Sequence, residues 1–121
     1  MFEHIQKLQG NVLAIKITGE ITKNEHERLD RLIRTSVAEW ERIRIFIVLN
    51  HYPSFNSAEA LYEDLRMIKN HSKHIDRLAV VGDRRWKRTW VGLFGLFSRI
   101  ETDYFEMEEI DAAYQWITQN G

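Results

Sequence analysis

The run Ile43-Arg44-Ile45-Phe46-Ile47-Val48-Leu49 constrains this chain more than any other segment. It is continuous, β-branched and too short for a buried helix. It therefore reads as a central strand covered on both faces. A second run of the same kind, Leu78-Ala79-Val80-Val81-Gly82, predicts another buried strand. Two such strands need layers on both sides, which points to an α/β architecture.

The rest of the chain supplies those layers. Val12 to Thr18, with Leu13, Ile15 and Ile17 facing inward, follows Met1 to Leu8 across the turn signal Gln9-Gly10-Asn11, so an antiparallel hairpin opens the chain. Thr22 with Glu25 three residues later is a capping-box signature, and Leu29, Leu32, Ile33, Val37 and Trp40 then keep helical spacing. Ser57 is placed to cap a second helix. Ala58, Leu61, Tyr62, Leu65 and Ile68 line one face of it, and Glu59, Glu63, Asp64, Arg66 and Lys69 the other. Asp83 is placed to cap a third helix from Arg84 to about Ser98. Thr102 to Phe105 reads as a last strand, and Met107, Ile110, Tyr114 and Ile117 as a closing helix. The predicted order is ββαβαβαβα: one domain over residues 1–121, with a mixed sheet of about five strands and four helices joined by right-handed crossovers.

Composition sets limits. At 121 residues, 44% hydrophobic and 29% charged, with a net charge of -1, the chain is ordinary for one folded domain. The neutral total gives no general affinity for nucleic acid. Cysteine is absent, which excludes disulfides and thiolate metal sites, and the first residues lack a signal-peptide layout, so a cytoplasmic location is expected. No apolar run is long enough to span a bilayer.

Four segments carry a family resemblance. They are Gly10-Asn11-Val12-Leu13 leading to Thr18-Gly19; Leu61-Tyr62-Glu63-Asp64-Leu65; Ala79-Val80-Val81-Gly82-Asp83-Arg84-Arg85-Trp86; and Tyr104-Phe105 leading to Ala113-Tyr114-Gln115-Trp116-Ile117. In these the chain resembles the SpoIIAA-like group, related to STAS domains and more distantly to CRAL-TRIO lipid-transfer domains. The Val-Gly-Asp-basic-basic-Trp segment at 81–86 is the most specific of them. The resemblance implies a mixed sheet flanked by helices, and a function in protein binding under phosphorylation control or in lipid binding. In anti-sigma-antagonist relatives the regulatory serine lies in an Asp-Ser-Ser-Gly type segment. The matching stretch here, Ser54-Phe55-Asn56-Ser57-Ala58, lacks the Asp and the Gly, and only Ser57 is well placed.

Candidate chemistry gathers at helix starts beyond the strand ends, where open α/β sheets hold ligands. Asp83 reads first as a helix cap. Arg84, Arg85, Lys87 and Arg88 crowd the positive end of a helix, which the macrodipole disfavours by about 0.3–1 kcal/mol each. They form either a solvated face or a site for an anionic headgroup, a phosphate or an acidic partner. Trp86, Trp90, Leu93, Phe94 and Phe97 share one face of that helix. Val91 and Leu96 lie off it, so a second cover is expected: a partner subunit in a homodimer, a lipid chain or a peripheral membrane contact. The leading expectation is a non-enzymatic domain binding an apolar or lipid-like ligand with an anionic head, through Ser57, Asp83, Arg84, Arg85, Trp86, Arg88, Trp90, Phe94 and Phe97. The alternative is a protein-interaction module controlled at Ser57.

The remaining chemistry is thin. His71 and His74 have only Asp76 near them as a third ligand, His51 with Ser54 or Ser57 lacks an elbow motif, and the glycines fit no nucleotide loop. No catalytic residue, metal or cofactor is assigned.

Overall fold

The computed structural model describes residues 1–5, 10–19, 21–50, 66–84 and 99–119. Five strands form one sheet in the order β1-β2-β3-β4-β5: β1 Phe2–Ile5, β2 Val12–Thr18, β3 Ile43–Asn50, β4 Ile75–Gly82 and β5 Glu101–Glu106. β1 runs antiparallel to β2, and every other neighbouring pair is parallel. This is the expected mixed sheet. Helix α1 spans Lys23–Trp40, residues 66–70 are helical, and a 3-10 turn at Met107–Glu109 leads into the C-terminal helix Ile110–Thr118. The rest of the expected second helix, and the third apart from Arg84, lie outside the described residues.

The alternation of each strand builds two cores. Leu13, Ile15, Ile17, Ile45, Ile47, Leu49, Leu78 and Val80 face α1 and the 66–70 segment, where Leu29, Ile33 and Ile68 meet them. Ala14, Phe46, Val48, Ala79 and Val81 face the other way, under Ala113 and Ile117 of the C-terminal helix. Right-handed crossovers between successive neighbours keep their helices on one face, and α1 and residues 66–70 do share one. The helix after β5 closes the second.

Several edges differ from expectation. β4 begins at Ile75 rather than Leu78, because Asp76 and Arg77 belong to the strand and send their charges to partners: Asp76 to Arg42, Arg77 to the C-terminal helix. β5 extends over Glu101–Glu106, beyond Thr102 to Phe105. Trp40, placed with the inward residues of α1, is 47% exposed, and Ile110 and Tyr114 are also exposed. Trp40 and Ile110 lie at the ends of their helices, whereas Tyr114 sits beside the buried stripe that Ala113 and Ile117 form. Trp116 packs, half-buried, on Phe105. No helix among the described residues is long and apolar enough to cross a membrane.

Helix α1 starts at the expected capping box: the Glu25 N–H donates to Thr22 Oγ1 (3.2 Å), and the Thr22 N–H to Glu25 Oε1 (3.0 Å). The Thr22 N–H, helped by the Phe2 N–H and the nearby Met1 amino group, holds the Glu25 carboxyl below its ordinary pKa despite some desolvation. The helix ends less comfortably. Glu41 has φ 69° and ψ -46°, and the Arg42 N–H donates to the Trp40 carbonyl (2.7 Å), so Glu41 is the centre of a γ-turn in the left-handed region. Such a conformation costs a non-glycine residue about 1–3 kcal/mol, whereas glycine adds about 0.4–1 kcal/mol of unfolded-state entropy. Glu41→Gly is therefore expected to raise stability by about 1 kcal/mol in urea denaturation; a lower midpoint with an unchanged slope would contradict a strained turn.

Candidate functional site

The carboxyl ends of the parallel strands come together at one edge of the sheet. β4 finishes there at Gly82, followed by half-buried Asp83 and exposed Arg84. Parallel pairing sets Val80 beside Tyr104 and Gly82 beside Glu106. Tyr104 is buried on the α1 face, and its phenol reaches up the strand to donate to the Asp83 carbonyl at 2.6 Å. A Cβ on residue 82 would lie 2.6 Å from that phenol oxygen. Gly82 is thus required by the closeness of Tyr104, a physical reason for the glycine within the 81–86 segment.

The electrostatics of this edge are mixed. Burial, with the Asp83 and Glu106 carboxylates nearby, pushes the Tyr104 hydroxyl well above its ordinary pKa. Tyr104 therefore acts here as a donor and stays protonated. Arg84 Nε lies 3.4 Å from Glu106 Oε1, with the arginine side chain 80% exposed and the glutamate 25%. Such a pair is worth about 0–1 kcal/mol. Nearby, the Gly19 N–H donates to the carbonyl of Asn50, the last residue of β3 (3.2 Å). Among the described residues beyond Gly82, then, two carboxylates accompany one guanidinium.

Of the residues singled out in the sequence, Asp83 and Arg84 fall at this edge. Ser57, Arg85, Trp86, Arg88, Trp90, Phe94 and Phe97 lie outside the described residues, as does His51. The histidine pair is split up: His71 Nε2 meets Asp30 Oδ1 at 2.9 Å, His74 Nδ1 lies 3.2 Å from the Glu41 carbonyl, and Asp76 accepts from Arg42 Nε at 2.7 Å. No three His, Asp or Glu side chains among the described residues could hold a metal together. Tyr104 and Glu106 were not singled out from the sequence. A glycine closing an apolar strand signals close approach, but only the strand register shows what approaches.

A mixed five-stranded sheet, with its crossover helix on one face and its last helix on the other, defines a STAS-type α/β module. The chain belongs to the SpoIIAA-like family, whose model matches residues 12–118. It is similar in structure to an uncharacterized protein of the DUF3478 family from Shewanella loihica PV-4 with a SpoIIAA-like fold. The TM-score is 0.65 and the identity 22%, over 97% of this chain and 92% of that one, a likeness that concerns the fold alone. No curated protein matches the chain. The fold it shares is that of a regulatory or binding module.

The contact between Gly82 and Tyr104 gives a thermodynamic cycle. Gly82→Ala is expected to lose about 1–3 kcal/mol by forcing the phenol aside, and Tyr104→Phe about 1 kcal/mol with its hydrogen bond. The hydroxyl is the clashing atom; the next atoms are at 3.4 and 3.5 Å. The double variant should therefore lose clearly less than the sum of the singles in denaturant titrations. Strict additivity would show that the two residues do not meet.

Proposed function

We propose that this chain is a non-enzymatic binding module that engages a protein partner at the carboxyl edge of its sheet, with Arg84 on the contact rim and Ser57 as the control point. The supporting observation is the charge pattern around Arg84. Asp83 and Glu106 lie beside Arg84, so the described part of this edge carries both signs. A surface carrying both signs suits a polypeptide, which can answer each sign in turn. A phosphate at Ser57, placed by the sequence at a helix start, would add about two negative charges there and change the partner's fit.

Affinity capture with the tagged protein, quantified by mass spectrometry, tests this reading. Arg84→Glu should cut recovery of the main partner roughly tenfold. Ser57→Asp should change it while Ser57→Ala leaves it near the wild-type level. Equal recovery with all of these variants would remove the carboxyl edge from partner binding.

A second reading rests on the sequence of residues 84–98. There Trp86, Trp90, Phe94 and Phe97 recur at helical spacing beside Arg84, Arg85 and Arg88, a composition suited to a lipid-like ligand with its anionic head toward the arginines. A second copy of the chain on that apolar face is the other cover this composition supports. The protein-partner reading predicts that gently purified protein yields no stoichiometric fatty acid or phospholipid on organic extraction and mass spectrometry. Recovery of about one lipid per chain would transfer the function to the lipid.

A further inference from the structure

The strand at the other end of the sheet offers a different surface. Among the described residues β1 pairs only with β2, so one side of it is a sheet edge. The Thr18 N–H donates to the Met1 carbonyl at 2.6 Å, and the Met1 amino group is bonded to the Thr18 carbonyl. With Glu3 opposite Lys16 and Ile5 opposite Ala14, the antiparallel alternation turns the backbone of Met1, Glu3 and Ile5 toward β2 and that of Phe2 and His4 away from it. Glu25 Oε2 accepts the Phe2 N–H at 2.5 Å. The Phe2 carbonyl and both backbone groups of His4 are met by no described residue, and the His4 side chain is exposed.

Beside this edge, α1 forms the wall of a groove. A cavity of about 280 Å³ is lined by His4, Arg28, Arg31, Leu32 and Thr35. A second of about 250 Å³ shares His4 and continues past Ser36 and Glu39 to exposed Trp40. Arg34, Arg42 and Arg84 each pair with a carboxylate. Arg28 instead lies over the Phe2 ring, 5.2 Å from its centroid, and neither it nor Arg31 pairs with a carboxylate of a described residue. An edge with unmet backbone groups thus adjoins a wall with two guanidinium groups that make no ion pair with a described residue.

We propose that the open edge of β1, with the α1 wall carrying Arg28 and Arg31, is a β-addition site for an extended acidic segment of a protein partner. A strand laid against Phe2 and His4 gains the backbone bonds that the edge lacks, and every second side chain of it faces the helix wall. Arg28 and Arg31 are separated by about 4.5 Å along the helix axis. Alternate strand side chains are about 6.6 Å apart. Arginine side chains span that difference easily, so acidic residues at alternate positions fit the pair. This surface is separate from the carboxyl edge, so the two proposals fail independently.

The test titrates the whole protein with a short, end-capped alternating Glu-Val peptide, followed by amide chemical shifts and by fluorescence anisotropy. Expected results are saturable binding that weakens with salt, a shifted and exchange-protected His4 amide, and affinity reduced roughly tenfold or more in R28E/R31E. The milder R28Q/R31Q should fall between, with the fold checked by circular dichroism in each case. The same peptide N-methylated at alternate residues, on the edge facing β1, should not bind, since it keeps the charge but loses the ladder. An alternating Lys-Val peptide should not bind either. Binding that ignores the N-methyl groups, spares His4 or persists in R28E/R31E overturns the proposal, as does no binding at all. If sedimentation shows that the protein self-associates through β1 and excludes the peptide, the occupant is a second copy and the proposal is likewise overturned.

Discussion

Two arginines on neighbouring central strands hold the end of the C-terminal helix, and the second face of the sheet depends on that grip. Arg44 Nη1 donates to the Ile117 carbonyl at 3.0 Å and also to that of Gln119; Arg77 Nη1 donates to the Trp116 carbonyl at 3.0 Å and to that of Gln119 at 3.3 Å. The last carbonyls of a helix have no partners within it and carry about half a negative charge. This helix has no basic residue in its own last turn. The sheet supplies the cations instead, across the chain. A register shift at Ile43/Arg44 brings Arg44 opposite Arg77, so both reach the same helix end. Holding two cations together is tolerable because Arg77 also meets Glu101 at 3.4 Å and lies over the Trp116 ring at 5.3 Å. One atom goes unsatisfied: Arg44 Nε is buried with no partner. In return, Phe46, Val48, Ala79 and Val81 are covered, and each large apolar side chain among them contributes about 1.5–3 kcal/mol by burial.

That grip explains what the sequence shows and what it hides. The runs at 43–49 and 78–82 announce buried strands, and the Thr22/Glu25 box announces the start of α1, because each signal is local. Arg44 and Arg77 look in sequence like polar interruptions, since their partners are 73 and 39 residues away. For the same reason Asp76 and Arg77 hide the start of β4. Trp40 and Tyr114 show the converse error. Helical spacing places them on the inward stripe, but Trp40 is the last residue of its helix, and the C-terminal helix turns Ala113 and Ile117 inward with Tyr114 beside them, which only the packing decides. At the carboxyl edge, Asp83 and Arg84 are legible from their place after an apolar run. The Tyr104 phenol over Gly82 exists only through the β4–β5 register.

A net charge of -1 also hides local clusters of like charge that bear on binding. Acidic groups collect around the end and edge of β5, with Glu101, Asp103 and Glu106 on one strand beside Asp83. Arg28 and Arg31 stand at the opposite end of the sheet, along α1 beside β1, with Glu3, Glu25 and Glu39 in the same region. Clusters of this kind let one small domain offer local patches of either sign without any overall attraction to polyanions.

The two edges of the sheet are unequal as templates for a further strand. Exposed edges are ordinarily blunted by charges or by side chains that take up their backbone groups. β5 has both devices: exposed carboxylates at Glu101 and Asp103, and the Tyr104 N–H donating to Asp103 Oδ1 at 2.9 Å. β1 has exposed Glu3 and the Glu25 carboxylate on the Phe2 N–H, and the latter contact also serves the start of α1. At His4 no described residue takes up the backbone groups, and the cavity beside it is lined by Arg28 and Arg31. A like-charged strand would be repelled there and an acidic one attracted. The Phe2 carbonyl and the His4 backbone groups are therefore where a further strand would find its bonds.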